Sequence, residues 1–251
     1  MIDFHSHILP AVDDGAKDMD TSLKMLEISK KSGVNTVVST SHCYPYSSVD
    51  INSFLLKRDE AFLRLIREAN ERNADIPEIV LASEVHLSRD ISKMRGVEKL
   101  CIKGTKYLLL EMPSSPWTDS VIEWVYKILL MGITPIIAHD ERNIPQKDSM
   151  KRMLYDLDVL IQVNAEAFSI SSAKKYTNIM IEQGMLHVVG SDMHNCEKRP
   201  PCMDKAKKYI TKRFGEDCWK YLMNNAAAIV GGEVLSYRSM KGFKKKSLFS
   251  K

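Results

Sequence analysis

Short apolar runs, several of them rich in β-branched residues, alternate along the chain with longer segments whose apolar residues recur at helical spacing. The runs predict strands and the longer segments predict amphipathic helices, because one face repeats every two residues in a strand and about every 3.6 residues in a helix. The predicted strands are residues 1–5, 35–39, 79–83, 107–111, 134–138, 159–163 and 187–190. The predicted helices are residues 18–32, 51–72, 119–131, 148–156, 172–183, 203–213 and 217–230.

These elements follow one another as strand then helix, with no internal repeat and no low-complexity linker before the C-terminal tail. Short apolar strands that alternate with helices are typical of a parallel sheet with both faces covered. We therefore predict a single α/β domain in which seven strands could close into a barrel. In such a barrel, reactive side chains gather at the carboxyl ends of the strands.

Side chains that bind metals stand at the ends of these predicted strands. Five of the seven histidines and three carboxylates lie at or just after the end of a strand, and a fourth carboxylate lies in the first loop. These nine residues are His5, His7, Asp14, His42, Glu84, Glu111, His139, Asp192 and His194. If the barrel is correct, all nine converge on one rim. His86 and His187 do not join the pattern and are predicted to be structural or peripheral.

The spacing of two motifs supports a metal site. His5 and His7 are two residues apart, as are Asp192 and His194, and residues so spaced on an extended segment face the same side. Imidazole with carboxylate suits zinc, manganese or iron better than calcium. A lone histidine at a strand end is more often structural, but two such motifs with further candidates at other strands indicate two or three ions.

The charge of that site selects a class of substrate. Four carboxylates with three divalent ions leave a charge of about +2, which attracts a dianion. A metal-bound water loses its proton near neutral pH, so hydrolysis of a phosphate ester is the predicted reaction. Arg142 and Arg199 follow His139 and His194 closely and are predicted to bind phosphate oxygens through their planar guanidinium groups. The alternative for each arginine is a surface salt bridge.

Other phosphate and hydrolase chemistries lack their motifs. No cysteine is followed six positions later by arginine, as a cysteine-based phosphatase requires. The chain also has no GxxxxGK[ST], no GxGxxG and no GxSxG.

Composition and charge bear on location and partners. Five cysteines without a CxxC pair argue against a disulfide framework, and the start of the chain does not resemble a signal peptide, so a cytoplasmic protein is predicted. The net charge of +4 comes from residues 238–251, which hold six basic and no acidic residues. The 30 basic and 32 acidic residues of the remainder argue against nucleic-acid binding. We predict a domain over residues 1–237 and a flexible basic tail, which is either simply solvated or contacts anionic lipid or an acidic partner.

The motifs resemble one known family. The start of the chain is similar to that of the bacterial PHP-type (polymerase and histidinol phosphatase) protein-tyrosine phosphatases of capsule and exopolysaccharide operons. It reads Asp3-Phe4-His5-Ser6-His7-Ile8-Leu9-Pro10, followed by Val12-Asp13-Asp14-Gly15-Ala16. The resemblance covers nearly the whole chain. It continues through Thr40-Ser41-His42, Ser83-Glu84-Val85, Leu110-Glu111-Met112-Pro113, Ala138-His139-Asp140-Glu141-Arg142, Gly190-Ser191-Asp192-Met193-His194-Asn195 and Arg199-Pro200-Pro201.

This resemblance implies a distorted (β/α)7, TIM-like barrel with three divalent ions, manganese first, with iron or zinc as alternatives. Carried over position by position, it implies the same nine ligands. It also implies phosphotyrosine as substrate, on the tail of a partner bacterial tyrosine kinase that controls capsular or exopolysaccharide synthesis. The hypothesis is that a hydroxide bridging two metals attacks phosphorus while Arg142 and Arg199 stabilise the charge.

The chain departs from the family pattern at three places, and two alternatives stay open. His86 stands where an arginine is expected, Asp140 stands where the family has proline, and Glu166 lies in a segment usually rich in small residues. No candidate ligand is lost, whereas contacts with substrate are affected. One alternative is a phosphatase of a small molecule such as histidinol phosphate, and the other is a metal-binding scaffold without turnover. A nuclease is disfavoured by the slightly acidic body.

Overall fold

The computed structural model describes residues 1–235 and 242–244. The strands are β1 (Ile2–Ser6), β2 (Thr36–Ser39), β3 (His42–Cys43), β4 (Glu78–Leu81), β5 (Glu84–His86), β6 (Tyr107–Glu111), β7 (Thr134–Ile137), β8 (Leu160–Asn164) and β9 (Val188–Gly190). The helices are α1 (Met19–Lys31), α2 (Ser48–Glu71), α3 (Asp119–Leu130), α4 (Asp148–Tyr155), α5 (Ser171–Gln183), α6 (Met203–Phe214) and α7 (Glu216–Val230). Short 3-10 turns cover Val97–Leu100, Asp140–Asn143 and Ala165–Phe168.

The strands pair in parallel in two sheets, one ordered β1-β2-β4 and the other β3-β5-β6-β7-β8-β9. The first and last strands also meet, since His5 O accepts a hydrogen bond from Asp192 N (2.8 Å) and His7 N donates one to Met193 O (3.0 Å). The chain is therefore a single α/β domain built on a curled parallel sheet with helices around it.

One apolar cluster shows how the sheets curl. Side chains from both sheets pack against one another and against α7, which requires the two sheets to bend around a shared core. The cluster includes Phe4, Val38, Leu109, Ile136, Leu160, Val188 and Ile229. A larger cluster lies between the strands and the surrounding helices. The curl brings the carboxyl ends of the strands to one rim.

Local chemistry accounts for where the main helices begin. Asp18 Oδ1 accepts a hydrogen bond from Thr21 N (2.8 Å), which caps the start of α1. Ser47 and Asp50 bond each other reciprocally at the start of α2, so that helix begins three residues before the apolar periodicity indicated. The other predicted helices and strands are confirmed to within two residues at each end.

Strands β3 and β5 were not predicted, because two or three residues that include histidine and glutamate carry no periodic signal. Each continues the line of the strand before it after a break of two residues. No helix within residues 1–235 and 242–244 is both long and apolar enough to cross a membrane. The predicted basic tail lies outside the described residues except for 242–244.

Candidate metal centre

The curled sheet brings side chains from six strand ends to one largely buried cluster, and the exposed Asp14 of the first loop completes it. Three groups of side chains have their ligand atoms within 4.8 Å of one another. They are His5 with His7 and Glu84; His7 with Asp14, His42 and His194; and His42 with Glu84 and Glu111. His139 and Asp192 join through contacts with Glu84 and with His5 and His7. All nine residues singled out in the sequence thus lie together.

Glu84 occupies the centre of this cluster and is almost fully buried. Its Oε2 lies 3.1 Å from His5 Nε2, 3.2 Å from His7 Nε2 and 3.1 Å from His42 Nδ1. Its Oε1 lies 2.7 Å from His139 Nε2. One carboxylate therefore faces four imidazoles contributed by three strands or their ends, β1, β3 and β7, which is the arrangement expected of a bridging ligand.

The arrangement of the donor atoms suits binding of divalent ions better than hydrogen bonding among the side chains themselves. The Nε2 atoms of His5 and His7 lie only 3.1 Å apart and point toward the same space. Within the described residues, the buried Nδ1 of His42 and Nε2 of His194 make no hydrogen bond. Buried polar atoms without partners are uncommon in folded proteins, and converging imidazole nitrogens beside carboxylates are a typical metal-ligand set.

Hydrogen bonds at the far side of two rings select the nitrogen that faces the cluster. Asp13 Oδ2 accepts a hydrogen bond from His7 Nδ1 (2.8 Å), and Asp192 O accepts one from His194 Nδ1 (2.9 Å). In its neutral form each ring therefore carries its proton on Nδ1 and has its lone pair on Nε2. Asp13 also accepts from the backbone N–H groups of His42 and Gly15, so it ties the first loop to β3.

Opposing effects act on the acid–base chemistry of the two innermost histidines. Burial lowers the pKa of His5, but Glu84 and Asp192 outweigh it and raise the pKa above its ordinary value. Burial likewise lowers the pKa of His7, and hydrogen bonds to Asp13, Asp192 and Glu84 raise it well above that value. The same contacts hold the pKa of Glu84 well below its usual range. These shifts favour protonation of His5 and His7 in the metal-free protein.

The outer histidines behave in the opposite way. Burial, and to a lesser extent the neighbouring His7, lower the pKa of His194 to about 4. Burial also lowers the pKa of His42, despite the nearby Glu84. Both rings are therefore neutral near pH 7 and present free lone pairs.

Arg142 and Arg199 meet at one oxygen on the rim. The Nη2 atom of each lies 2.6 Å from Asp192 Oδ2, and their side chains are 49% and 34% exposed. They line a cavity of about 130 Å³ together with Glu166 and Lys205. The two guanidinium groups thus lie at the edge of the cluster, where each forms an ion pair with the candidate ligand Asp192.

The turn that carries Arg142 is anchored by Asp140, the residue that stands in place of the family's proline. Asp140 is fully buried, and its Oδ2 accepts hydrogen bonds from Tyr155 (2.8 Å) and Tyr176 (2.5 Å). Burial raises the pKa of Asp140, although these hydrogen bonds act against the rise. His139 immediately before it has a φ of 33°, a left-handed conformation that side-chain contacts must hold in place.

Comparison with known proteins places this geometry in a family. The sequence model of the family described as capsular polysaccharide synthesis, CpsB/CapC, matches residues 1–231. The chain belongs to the CpsB/CapC family. A relative, the tyrosine-protein phosphatase CpsB of Streptococcus pneumoniae, is 34% identical over 86% of this chain and 91% of its own. The tyrosine-protein phosphatase YwqE of Bacillus subtilis is 28% identical over 99% of both chains.

Solved structures agree with this CpsB/CapC assignment. A chain from the crystal structures of YwqE from Bacillus subtilis and CpsB from Streptococcus pneumoniae, described as unique metal-dependent tyrosine phosphatases, superposes with a TM-score of 0.81 at 23% identity. That match covers 98% of this chain and 100% of the other. A phosphotriesterase from Mycobacterium tuberculosis shares the fold more distantly, with a TM-score of 0.54 at 12% identity over 92% of this chain.

Two residues of this CpsB/CapC chain, His86 and Asp13, contact the cluster although the sequence analysis did not place them there. His86 borders the cluster, since its Nδ1 lies 3.0 Å from Glu111 Oε2. Asp13 was not singled out, although its place beside Asp14 in an acidic pair was a usable signal. His187 is structural, as predicted: it is buried, and its Nδ1 accepts a hydrogen bond from Ile161 N (2.9 Å).

Proposed function

We propose that this chain is a metal-dependent protein-tyrosine phosphatase that hydrolyses phosphotyrosine on a partner bacterial tyrosine kinase in capsular or exopolysaccharide synthesis. The observation that carries the proposal is the convergence of nine metal-binding side chains below two arginines at one rim. The tyrosine-protein phosphatases among the relatives support the reaction class.

We propose three divalent ions, manganese first, held by the nine residues His5, His7, Asp14, His42, Glu84, Glu111, His139, Asp192 and His194. Three overlapping groups of ligand atoms support this number, with Glu84 shared between two of the groups. Ions bound there supply an activated water and neutralise charge on the phosphoryl oxygens. The donor set alone also accommodates iron or zinc.

Arg142 and Arg199 are the proposed phosphate-binding residues. Their pairing with Asp192 Oδ2 leaves their remaining guanidinium N–H groups for a phosphate at the cavity mouth. The leaving tyrosinate has a conjugate acid pKa of about 10, so it departs with little help from a general acid. Glu166 at the same cavity repels a dianion and limits its affinity.

The test is phosphate release from a phosphotyrosine peptide, with histidinol phosphate alongside, in Mn²⁺ and again after chelation. Release from the peptide that stops with chelator and returns with Mn²⁺ is the expected result. Activity on histidinol phosphate alone would replace the protein substrate with a small molecule. Bound metal with no turnover of either would favour a scaffold.

Mn²⁺ binding is expected to release protons and to tighten as the pH rises through neutrality. His5 and His7, whose pKa values are raised in the metal-free protein, hold protons that an ion must displace. His42 and His194, whose pKa values are lowered, contribute none. Calorimetric titration in two buffers of different ionisation enthalpy should report a net release of protons near neutral pH. An affinity independent of pH would contradict this.

Arg142→Lys is expected to lower kcat/KM for a phosphotyrosine peptide by about 10²-fold while Mn²⁺ content stays unchanged, because an ammonium cannot match the planar fork at two oxygens. Steady-state kinetics and metal analysis measure the two effects. The matched control is Arg72→Lys, an exposed arginine that pairs with Asp20 and Glu68 away from the rim. Equal kinetics for both variants would remove Arg142 from the proposed site.

We propose that the two sheets together form a distorted (β/α)7 barrel, supported by the short breaks between β2 and β3 and between β4 and β5. We propose a cytoplasmic location, where the phosphatase would have access to the tail of a partner kinase. The boundary between the domain of residues 1–237 and a basic tail that contacts membrane or an acidic partner stays a prediction.

A further inference from the structure

Strand β8 carries no candidate metal ligand, yet it lies between β7 and β9, the strands that lead to His139 and Asp192. It contributes two buried amide side chains to the rim, Gln162 and Asn164. Among the described residues, their side chains form hydrogen bonds only with candidate ligands and with each other. We call these two residues the amide relay.

The orientation of the Gln162 amide is fixed by the backbone N–H of His139, which can only donate a hydrogen bond. The backbone N–H of His139 donates to Gln162 Oε1 (2.7 Å), so this atom is the oxygen and the other end is the NH2 group. The same oxygen lies 3.2 Å from His5 Nδ1. Because a carbonyl oxygen only accepts, the neutral ring of His5 carries its proton on Nδ1, and its Nε2 lone pair faces Glu84 and His7.

The second half of the amide relay orients a carboxylate. Gln162 Nε2 donates to Asn164 Oδ1 (3.0 Å), so the amide of Asn164 directs its Nδ2 to Asp192 Oδ2 (2.8 Å). Arg142 and Arg199 contact the same oxygen. Three donors thus occupy Oδ2, and Oδ1 is left 3.5 Å from His5 Nε2 and 3.4 Å from His7 Nε2.

We infer that Gln162 and Asn164 are positioning residues for the metal centre. Gln162 fixes the tautomer and ring orientation of His5, and Asn164 turns Asp192 so that Oδ1 faces the ions and Oδ2 faces the arginines. The inference rests on the metal site of the proposed function. Partners that orient ligands in this way commonly change metal affinity by about 10–100-fold when they are removed.

The first test uses two substitutions at one position. Gln162→Met keeps the length of the side chain but removes the oxygen, so Mn²⁺ Kd is expected to rise about 10–100-fold. In the metal-free protein at alkaline pH, ¹⁵N NMR of the imidazole should show His5 shifting from the Nδ1–H tautomer to a mixture. Gln162→Glu retains an acceptor for His5 Nδ1 and should keep the Nδ1–H tautomer.

The second test separates the two halves of the relay. Asn164→Leu should weaken Mn²⁺ binding by a similar factor while His5 keeps its tautomer, because Gln162 still accepts from His5. Asn178→Leu is the matched control: Asn178 is another buried amide, and it makes two side-chain hydrogen bonds with Tyr209 away from the rim. This control should leave both Mn²⁺ affinity and the His5 tautomer unchanged.

Wild-type Mn²⁺ affinity and an unchanged His5 tautomer in Gln162→Met would overturn the inference, as would an equal loss of affinity in Asn178→Leu. If Gln162→Met does not fold, Gln162→Glu and Asn164→Leu decide, since loss of the Nδ1–H tautomer in the first or unchanged affinity in the second also overturns it. Failure of the proposed function is distinguishable, because it would appear as absent phosphatase activity in the wild-type protein, whereas the tautomer is measured without metal or substrate.

Discussion

Glu84→Gln is expected to remove most of the bound Mn²⁺ and to lower phosphatase activity by at least about 100-fold, the upper end of effects seen for partners that only orient a ligand. Glu84 is the carboxylate that faces His5, His7, His42 and His139 at 2.7–3.2 Å. Glutamine keeps the shape but directs an uncharged NH2 group at imidazole nitrogens that an ion would occupy. Metal analysis and kcat/KM on a phosphotyrosine peptide measure both losses.

The control for that change is Glu78→Gln at the exposed start of β4, which alters the same residue type away from the rim. It should leave metal content and activity unchanged. A Glu84→Gln protein that binds metal as the wild type does would show that the central carboxylate is not a ligand.

Gly190→Ala is expected to destabilise the fold by about 1–3 kcal/mol and to weaken Mn²⁺ binding as well. A Cβ at position 190 would lie 2.6 Å from His5 N and 2.9 Å from His5 Cα, closer than real contacts allow. The atoms that crowd it include backbone of β1, so relief requires β1 and β9 to separate and His5 to move from the cluster. Denaturant unfolding and Mn²⁺ titration measure the two effects.

Gly231→Ala is the matched control, because position 231 has a φ of −76° and its added Cβ would meet Ala227 O at 3.3 Å, a much milder contact. A Gly190→Ala protein with the stability and Mn²⁺ affinity of the wild type would show that β1 and β9 can separate without disturbing the rim.

Seven of the nine strands, the helices and the meeting of nine side chains could be predicted from the sequence, because each depends on a local pattern combined with one general rule. The apolar runs locate the strands, and parallel strands must end at a common edge. His5 and His7 are recognisable from their spacing alone. Their role as ligands stays a prediction that metal binding will test.

What the sequence could not predict depends on contacts between distant segments. Asp13 accepts from His42 N, 29 residues away, and Gln162 accepts from His5 Nδ1, 157 residues away. An acidic pair in a loop and a glutamine in an apolar strand carry no periodic signal of such partners. The shared contact of Arg142 and Arg199 with Asp192 Oδ2 likewise depends on how two loops fold over the rim.

The pairing of β1 with the segment after β9 determines when the site can form during protein synthesis. His5 and His7 emerge from the ribosome first, but Asp192 and His194 are made almost two hundred residues later. Domains generally fold as units during translation, and contacts this remote in sequence form late. A nascent chain that ends before His194 contains no complete cluster. Since Asp192 and His194 are made this late, we expect the complete set of nine candidate ligands to come together only after nearly the whole domain has been translated.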